Sequence, residues 1–259
     1  MVEFLDLRGK NVVVVGVSGA IGSAIALNAN RFGAKIFGFD LVAPKNIPIE
    51  SFYTGDATLE SDVMQFTKLI LDTHLKIDVI VLSMGITGSV EDAENIDITN
   101  FKNCINSSVI SSTLFIKHFS PLFKRQKTGN FILLSSIAGS RGAALMPAYT
   151  SAKHAINGLM KSFARELGPW GIRLNSISPG LIKSKMAMKI QYALNVRSNS
   201  SLLDIDDDLL MDSASSSIPL RRVGTPEDVS NLAIFLMSSA SSYIHGSVIS
   251  IDGGLSVKY

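Results

Sequence analysis

Short apolar runs alternate with amphipathic segments along the chain. Residues 11–15 are continuously apolar, which is typical of a strand buried on both faces. Residues 21–32 carry small and apolar side chains at helical spacing, and Gly33-Ala34 ends that pattern. Further strands are expected near residues 35–39, 52–53, 78–82, 130–135, 172–177 and 247–251, and further helices near 62–74, 101–123 and 149–167. Residues 225–228 open another helix with an N-cap threonine, a first-position proline and early acids.

This order of elements predicts one α/β domain. Strand–helix–strand repeats favour parallel pairing with right-handed crossovers. The resulting Rossmann-type, doubly wound parallel sheet binds ligands beyond the carboxyl ends of its strands. No linker or composition break divides residues 1–259. Residues 183–217 lack a strand pattern and form a long excursion, either a lid or a disordered loop, and we favour a lid because long loops in compact domains are usually functional.

Composition narrows the function classes. Hydrophobic residues make up 46% and charged residues 18%, which suits a packed core rather than disorder. The net charge is +2 without a basic run, so neither nucleic acid nor a membrane surface is an expected partner. Cys104 is the single cysteine and the four histidines are scattered, so no disulfide framework or metal site is expected. The acidic start of the chain and the lack of a long apolar stretch favour a cytoplasmic protein.

A glycine-rich turn separates the first strand from the first helix. Residues 16–22 read Gly-Val-Ser-Gly-Ala-Ile-Gly, and such glycines let the backbone approach a pyrophosphate at the helix N-terminus. Asp40 ends the second strand, where a carboxylate can bind an adenosine ribose and repel a 2′-phosphate. The turn holds no Lys or Arg, so the pattern favours NAD over NADP. The less favoured alternative is a turn shaped only by packing, with a surface aspartate.

Three side chains carry candidate proton chemistry. Tyr149 and Lys153 are four apart and share a helix face. A phenol is a poor acceptor at neutral pH, but a neighbouring ammonium and an oxidised nicotinamide ring would lower its pKa toward the range of a general acid/base. Ser136 follows a strand at the expected ligand edge. The alternatives are an ordinary helix face for the pair and a turn or cap role for the serine. For Asn106, inside a predicted helix, the pattern alone does not separate function from a surface amide.

The spacing of Ser136, Tyr149 and Lys153 matches the active site of the short-chain dehydrogenase/reductase family, and the resemblance covers essentially the whole chain. Further motifs of that family are matched at residues 178–184, 218–222, 224–228 and 251–254. A weaker resemblance, at residues 33–40 and in the short segment before Asp56, is to the branch that oxidises 2,3-dihydro-2,3-dihydroxybenzoate.

The resemblance implies four catalytic residues. Ser136 would hold the substrate oxygen, and Tyr149 would exchange a proton with it. Lys153 would lower the pKa of Tyr149 and bind the nicotinamide ribose. Asn106 falls where the family places its fourth residue, and would hold a water that links Lys153 to solvent.

The resemblance also implies an NAD site without a metal. Its residues would be Gly16, Ser18, Gly19, Ala20, Ile21, Gly22, Asp40, Asp56, Ala57, Gly85, Tyr149, Lys153, Pro179, Gly180, Ile182 and Ser184. Asp56 matches the residue that binds the adenine amino group. Three departures from the family pattern fall on this side: Val15, Ala20, and residues 82–85, which read Leu-Ser-Met-Gly where the family has bracing amides.

The favoured function is hydride transfer between NAD and a small secondary alcohol or ketone, with a cyclic dihydrodiol or other alicyclic alcohol as the best substrate hypothesis. The alternative is a catalytically idle nucleotide-binding relative that acts through its surface, which the altered cofactor motifs favour and the retained catalytic residues oppose. An anionic substrate would make the basic residues of the predicted lid, Lys183, Lys185, Lys189 and Arg197, candidate partners, although solvated surface charges are the favoured explanation of them. The resemblance also implies a homotetramer.

Overall fold

A computed structural model describes residues 5–73, 76–197 and 214–257. The strands are β1 (Asn11–Val15), β2 (Lys35–Asp40), β3 (Ser51–Thr54), β4 (Val79–Leu82), β5 (Gly129–Leu134), β6 (Ile172–Pro179) and β7 (Val248–Ile251). The helices are α1 (Ala20–Arg31), α2 (Glu60–Asp72), α3 (Ile98–Ile105), α4 (Ser111–Gln126), α5 (Pro147–Leu167), α6 (Lys185–Arg197) and α7 (Pro226–Met237). A π-helical turn, Asn106–Ile110, joins α3 to α4.

The seven strands form one parallel sheet in the order β3-β2-β1-β4-β5-β6-β7. Strand order reverses beside β1, which is the switch point where such sheets bind ligands. Within β1, Val12 and Val14 face the layer of α1 and α7, whereas Val13 and Val15 face the layer of α2, α4 and α5. The prediction of a doubly wound, single-domain sheet is confirmed, because only burial on both faces explains an unbroken apolar strand.

Several local predictions are also confirmed. Thr225 caps α7: its hydroxyl accepts from the Asp228 amide, and the Asp228 carboxylate accepts from the Thr225 amide. The helical prediction for residues 101–123 is confirmed, but the helix is not a regular α-helix throughout. The chain is helical from Ile98 to Gln126, and the π turn in its middle changes which side chains face inward.

The predicted lid is described only in part. Its first half is helix α6, and the Ser184 hydroxyl accepts a hydrogen bond from the amide of Ala187 in the first turn of that helix. Residues 198–213 lie outside the described residues, so the lid stays a prediction. Within the described ranges, no helix combines the length and apolarity needed to cross a membrane.

Candidate active site

The candidate residues gather at the carboxyl edge of the sheet because every strand runs the same way. The Gly16 amide donates to Phe39 O at 2.9 Å, joining the ends of β1 and β2. The backbone that follows β4 is also close to Gly16, since a Cβ at Gly16 would be 3.0 Å from the carbonyl of Ser83. Parallel pairing also places the ends of β5 and β6 at this edge.

The glycine turn forms an open cradle at the start of α1. Gly16 has φ +79°, a conformation that L side chains rarely adopt, and a Cβ at Gly22 would lie 2.0 Å from Gly16 O. Gly19 is the N-cap of α1 without a side-chain cap, and no acid lies in the first turn. Ser18, Gly19 and Ala20 are exposed, and the amides in the first turn of α1 have no partner within the helix, so this end of the helix can take an anion.

We expect Gly22→Ala to destabilise the protein by about 3 kcal/mol, lowering Tm by roughly 6–12 °C in a thermal melt, because the methyl would overlap Gly16 O. Gly19→Ala is the matched control. Its Cβ would sit 3.4 Å from Gly16 O at φ −71°, and its Tm should stay within about 2 °C of wild type. Equal melting of the two variants would show that the turn relaxes freely.

Asp40 closes one side of the cradle. Its carboxylate accepts from the Ser18 amide at 2.8 Å and from the Leu41 amide at 2.7 Å. The Ser18 hydroxyl donates to Val42 O. Asp40 therefore tethers the glycine turn to β2 and lies at the entrance of the cradle. This structural role is compatible with binding of a ligand by the same carboxylate.

The other predicted adenosine residues lie beyond β3. Asp56 Oδ1 accepts from both the amide and the hydroxyl of Thr58, each at 2.8 Å, which fixes the turn before α2. Ala57 packs against the core, as does Met84, one of the departures from the family pattern. Met84 therefore places a larger, packed apolar side chain where the family has alanine, and the amides of the family pattern are missing at Leu82 and Ser83.

Ser136, Tyr149 and Lys153 meet at the ends of β5 and α5. Lys153 is 5% exposed, and its Nζ donates to Leu134 O at 2.8 Å. The same Nζ lies 5.6 Å from the centroid of the Tyr149 ring. The Ser136 hydroxyl accepts from the Ala138 amide at 3.2 Å, and its interaction with the Tyr149 phenol lowers the pKa of that phenol. The sequence-predicted trio is thus brought together around one phenol.

Burial is the main cause of the pKa shifts of Tyr149 and Lys153. Desolvation raises the pKa of Tyr149, and the hydrogen bond from Ser136 offsets part of that rise. Desolvation likewise lowers the pKa of Lys153 to about 8. The rise in the pKa of Tyr149 is opposite to the lowering expected from the neighbouring ammonium, and desolvation is its largest cause. The phenol is therefore poised to hold its proton until another positive charge reaches the site.

The structure does not bring Asn106 to this trio, and the expectation for that residue is corrected. Asn106 is exposed, whereas Ser108, two residues further along the π turn, is 2% exposed. Residues two apart point to nearly opposite sides of a helix. A Cβ at Gly85 would lie 2.7 Å from Ser108 Oγ and 3.4 Å from Lys153 Nζ, so Ser108 is the helix residue that approaches the lysine. The sequence carries no signal that separates Ser108 from the neighbouring Ser107, Ser111 and Ser112.

Ser108 Oγ has no hydrogen-bond partner among the described residues although it is fully buried. A buried hydroxyl without a partner costs about 1–3 kcal/mol. Such a cost is usually tolerated where a water or ligand completes the bond.

The segment after β6 borders the same edge. The Gly180 amide donates to Ile251 O at 3.0 Å, and Ile182 pairs with Gly224 in an isolated parallel bridge. Ile182 is buried, and Ser184 caps α6 as described above. Pro179 ends β6 beside Ile251. These contacts hold residues 179–180 against the C-terminal strand and Ile182 against Gly224. In the described part of the chain, no cluster of His, Cys, Asp and Glu could hold a metal ion.

Comparisons with known proteins agree with this architecture. The family model for enoyl-(acyl carrier protein) reductase matches residues 16–256. Zerumbone synthase from Zingiber zerumbet is 31% identical, covering 98% of this chain and 97% of its own. Aldohexose dehydrogenase from Thermoplasma acidophilum, in ligand-free form, superposes with a TM-score of 0.89 at 27% identity, covering 99% and 97% of the two chains. An NAD+-bound xylitol dehydrogenase gives 0.87 at 26% identity, covering 97% and 100%. Because a family model and a relative above 30% identity both span nearly the whole chain, this protein belongs to the short-chain dehydrogenase/reductase family of oxidoreductases, which bind NAD or NADP.

Proposed function

We propose that this protein is an NAD-dependent oxidoreductase that interconverts a small secondary alcohol and its ketone, with Tyr149 as general acid/base. The observation that carries the proposal is the convergence of Tyr149, Ser136 and buried Lys153 at the same sheet edge as the uncapped glycine cradle. A cyclic dihydrodiol or other alicyclic alcohol remains our substrate hypothesis.

The chain's own groups fit a dinucleotide. The cradle that a Cβ at Gly22 would fill, with free amides at the start of α1, suits a pyrophosphate. Asp40 at its mouth favours a ribose with a free 2′-hydroxyl, because a carboxylate repels a 2′-phosphate. Residues 179–184 and Gly85 would border the nicotinamide. When bound, the nicotinamide supplies or accepts the hydride.

Ser136, Tyr149 and Lys153 carry out the proton transfer in this proposal. Ser136 Oγ donates to the substrate oxygen and holds it beside the phenol. In the reductive direction Tyr149, kept protonated by burial, gives its proton to that oxygen. Lys153, held by Leu134 O, supports the developing phenolate with its charge and would bind the nicotinamide ribose. In the oxidative direction the same phenol must first lose its proton, which the oxidised, cationic ring favours.

Ser108 replaces Asn106 in the proposed route from Lys153 to solvent. We expect Ser108→Ala to lower kcat about 5- to 10-fold, which is the loss of one hydrogen bond to the lysine or its water, without loss of stability, since the removed hydroxyl is unpaired. Asn106→Ala should keep kcat within about twofold, because that side chain is exposed. Steady-state kinetics and thermal melts of both variants test this. A larger loss of kcat in Asn106→Ala than in Ser108→Ala would return the role in the solvent route to Asn106.

The function itself is tested by fluorescence titration with NADH and, separately, NADPH, followed by a panel of cyclic diols and ketones. Tight NADH binding, weak NADPH binding and turnover of a panel member support the proposal. Failure to bind either coenzyme would favour the idle relative that acts through its surface.

The proposed assembly is a cytoplasmic homotetramer. Ile98 and Ile110 are large apolar side chains left exposed on the α3–α4 stretch, and β7 is one of the two edge strands of the sheet. Light scattering of the purified protein measures the assembly, and fractionation of cells measures the location.

A further inference from the structure

One face of α3 and the π turn is fastened to the loop that follows β4. The residues are Asn100, Cys104, Ser107 and Ser108, and we call them the loop clamp. Asn100 and Cys104 are one turn apart on α3, and Ser107 and Ser108 lie in the π turn that follows. Each contacts a member of the loop at residues 85–89. The clamp therefore joins the helix beside the catalytic trio to the backbone that would border the coenzyme.

Both backbone groups of Ile86 are bonded by the clamp. Its amide donates to Ser107 Oγ at 3.3 Å, and its carbonyl accepts from the Cys104 thiol at 3.6 Å. The Ser107 hydroxyl donates its own proton to Cys104 O at 3.2 Å. Its lone pairs are therefore available to the Ile86 amide. The Ile86 side chain is 42% exposed, so packing of that side chain does little to hold the loop. Its position depends on these hydrogen bonds.

The clamp meets the loop at close range on both sides of Ile86. A Cβ at Gly88 would lie 2.7 Å from Cys104 Sγ, and a Cβ at Gly85 would lie 2.7 Å from Ser108 Oγ. The same Cβ at Gly85 would lie 3.4 Å from Lys153 Nζ, and Gly85 has φ +143°. A shift of Ile86 would therefore move Gly85 relative to the lysine. At the other end, Asn100 donates to the Ser89 hydroxyl.

We propose that Ser107 and Cys104 are positioning residues that set the distance between Gly85 and Lys153, and hence the fit of the bound nicotinamide coenzyme. This inference rests on the proposed function. Residues 82–85 carry no amide side chain that could brace the loop from within, so bracing comes from the helix instead. Ser107 and Cys104 bind the backbone of Ile86 and would act on the coenzyme through Gly85.

The test compares Ser107→Ala, Cys104→Val and Cys104→Ser with the control Asn103→Ala, an exposed neighbour on α3. The dissociation constant of NADH is measured by fluorescence at 25 °C, with thermal melts to show that each variant is folded. Losing one hydrogen bond should raise that constant about 5-fold in Ser107→Ala and about 3-fold in Cys104→Val. Cys104→Ser keeps a donor and should stay within about twofold of wild type, as should Asn103→Ala.

A merely structural role would lower Tm and leave NADH affinity unchanged, so unchanged affinity in both Ser107→Ala and Cys104→Val would overturn the inference. Loss of affinity in Cys104→Ser equal to that in Cys104→Val would also contradict it, since the donor would then be irrelevant. If wild type binds neither NADH nor NADPH, the proposed function fails first. If wild type binds NADH and the clamp variants bind equally well, only the clamp inference fails.

Discussion

Tyr149→Phe is expected to lower kcat about 10²- to 10⁴-fold, the usual contribution of a positioned general acid/base, while the dissociation constant of NADH changes less than twofold. Phenylalanine keeps the ring that packs near Lys153 and removes only the hydroxyl bonded to Ser136. Steady-state kinetics with a substrate from the panel and an NADH titration separate the two effects. An interaction made only during proton transfer lowers kcat without weakening coenzyme binding.

The matched control is Tyr243→Phe, because that tyrosine is 101% exposed and far from the sheet edge where the trio meets. It should retain wild-type kcat. If Tyr149→Phe kept more than a tenth of the wild-type kcat, the assigned proton transfer would be wrong. Ser136 would then be the remaining hydroxyl at the phenol, and its alanine variant the next experiment.

The second large effect is expected for coenzyme choice. Asp40→Ala combined with Leu41→Arg should shift the ratio of kcat/KM for NADPH to that for NADH by about 100-fold toward NADPH. The double change removes a carboxylate that would repel a 2′-phosphate and adds a guanidinium that can bind it. Leu41 is 62% exposed next to Asp40, so an arginine there has room and solvent.

Asp40→Asn is the control that isolates the charge. Its amide oxygen can still accept from the Ser18 amide, so the tether between the turn and β2 is kept. We expect it to weaken NADH binding modestly without creating NADPH preference. Initial rates with both coenzymes measure the shift, and an unchanged ratio in the double variant would mean that Asp40 does not reach the ribose.

Much of the fold could be predicted because its determinants are local. The unbroken apolar run in β1 requires burial on both faces, and Thr225 with Asp228 marks the start of α7 whatever lies around it. The four-residue spacing of Tyr149 and Lys153 likewise places both side chains on one face of any helix. These features depend on period and capping, which a short stretch of chain determines by itself.

The rest depends on contacts between segments far apart in sequence. A continuous helical period over residues 101–123 gives no sign of the π turn or of which face meets Lys153, so the period does not reveal Ser108, and Asn106 is indicated only by the family resemblance. The direction of the Tyr149 pKa shift follows from burial, which no spacing reveals.

The sequence by itself therefore determined the parallel α/β architecture, the cradle before α1 and the pairing of Tyr149 with Lys153, since each follows from local periodicity and backbone chemistry. Only the tertiary structure decided that Ser108 faces the lysine, that the trio is desolvated, and that Cys104 and Ser107 hold Ile86, because each is a property of groups that packing brings together.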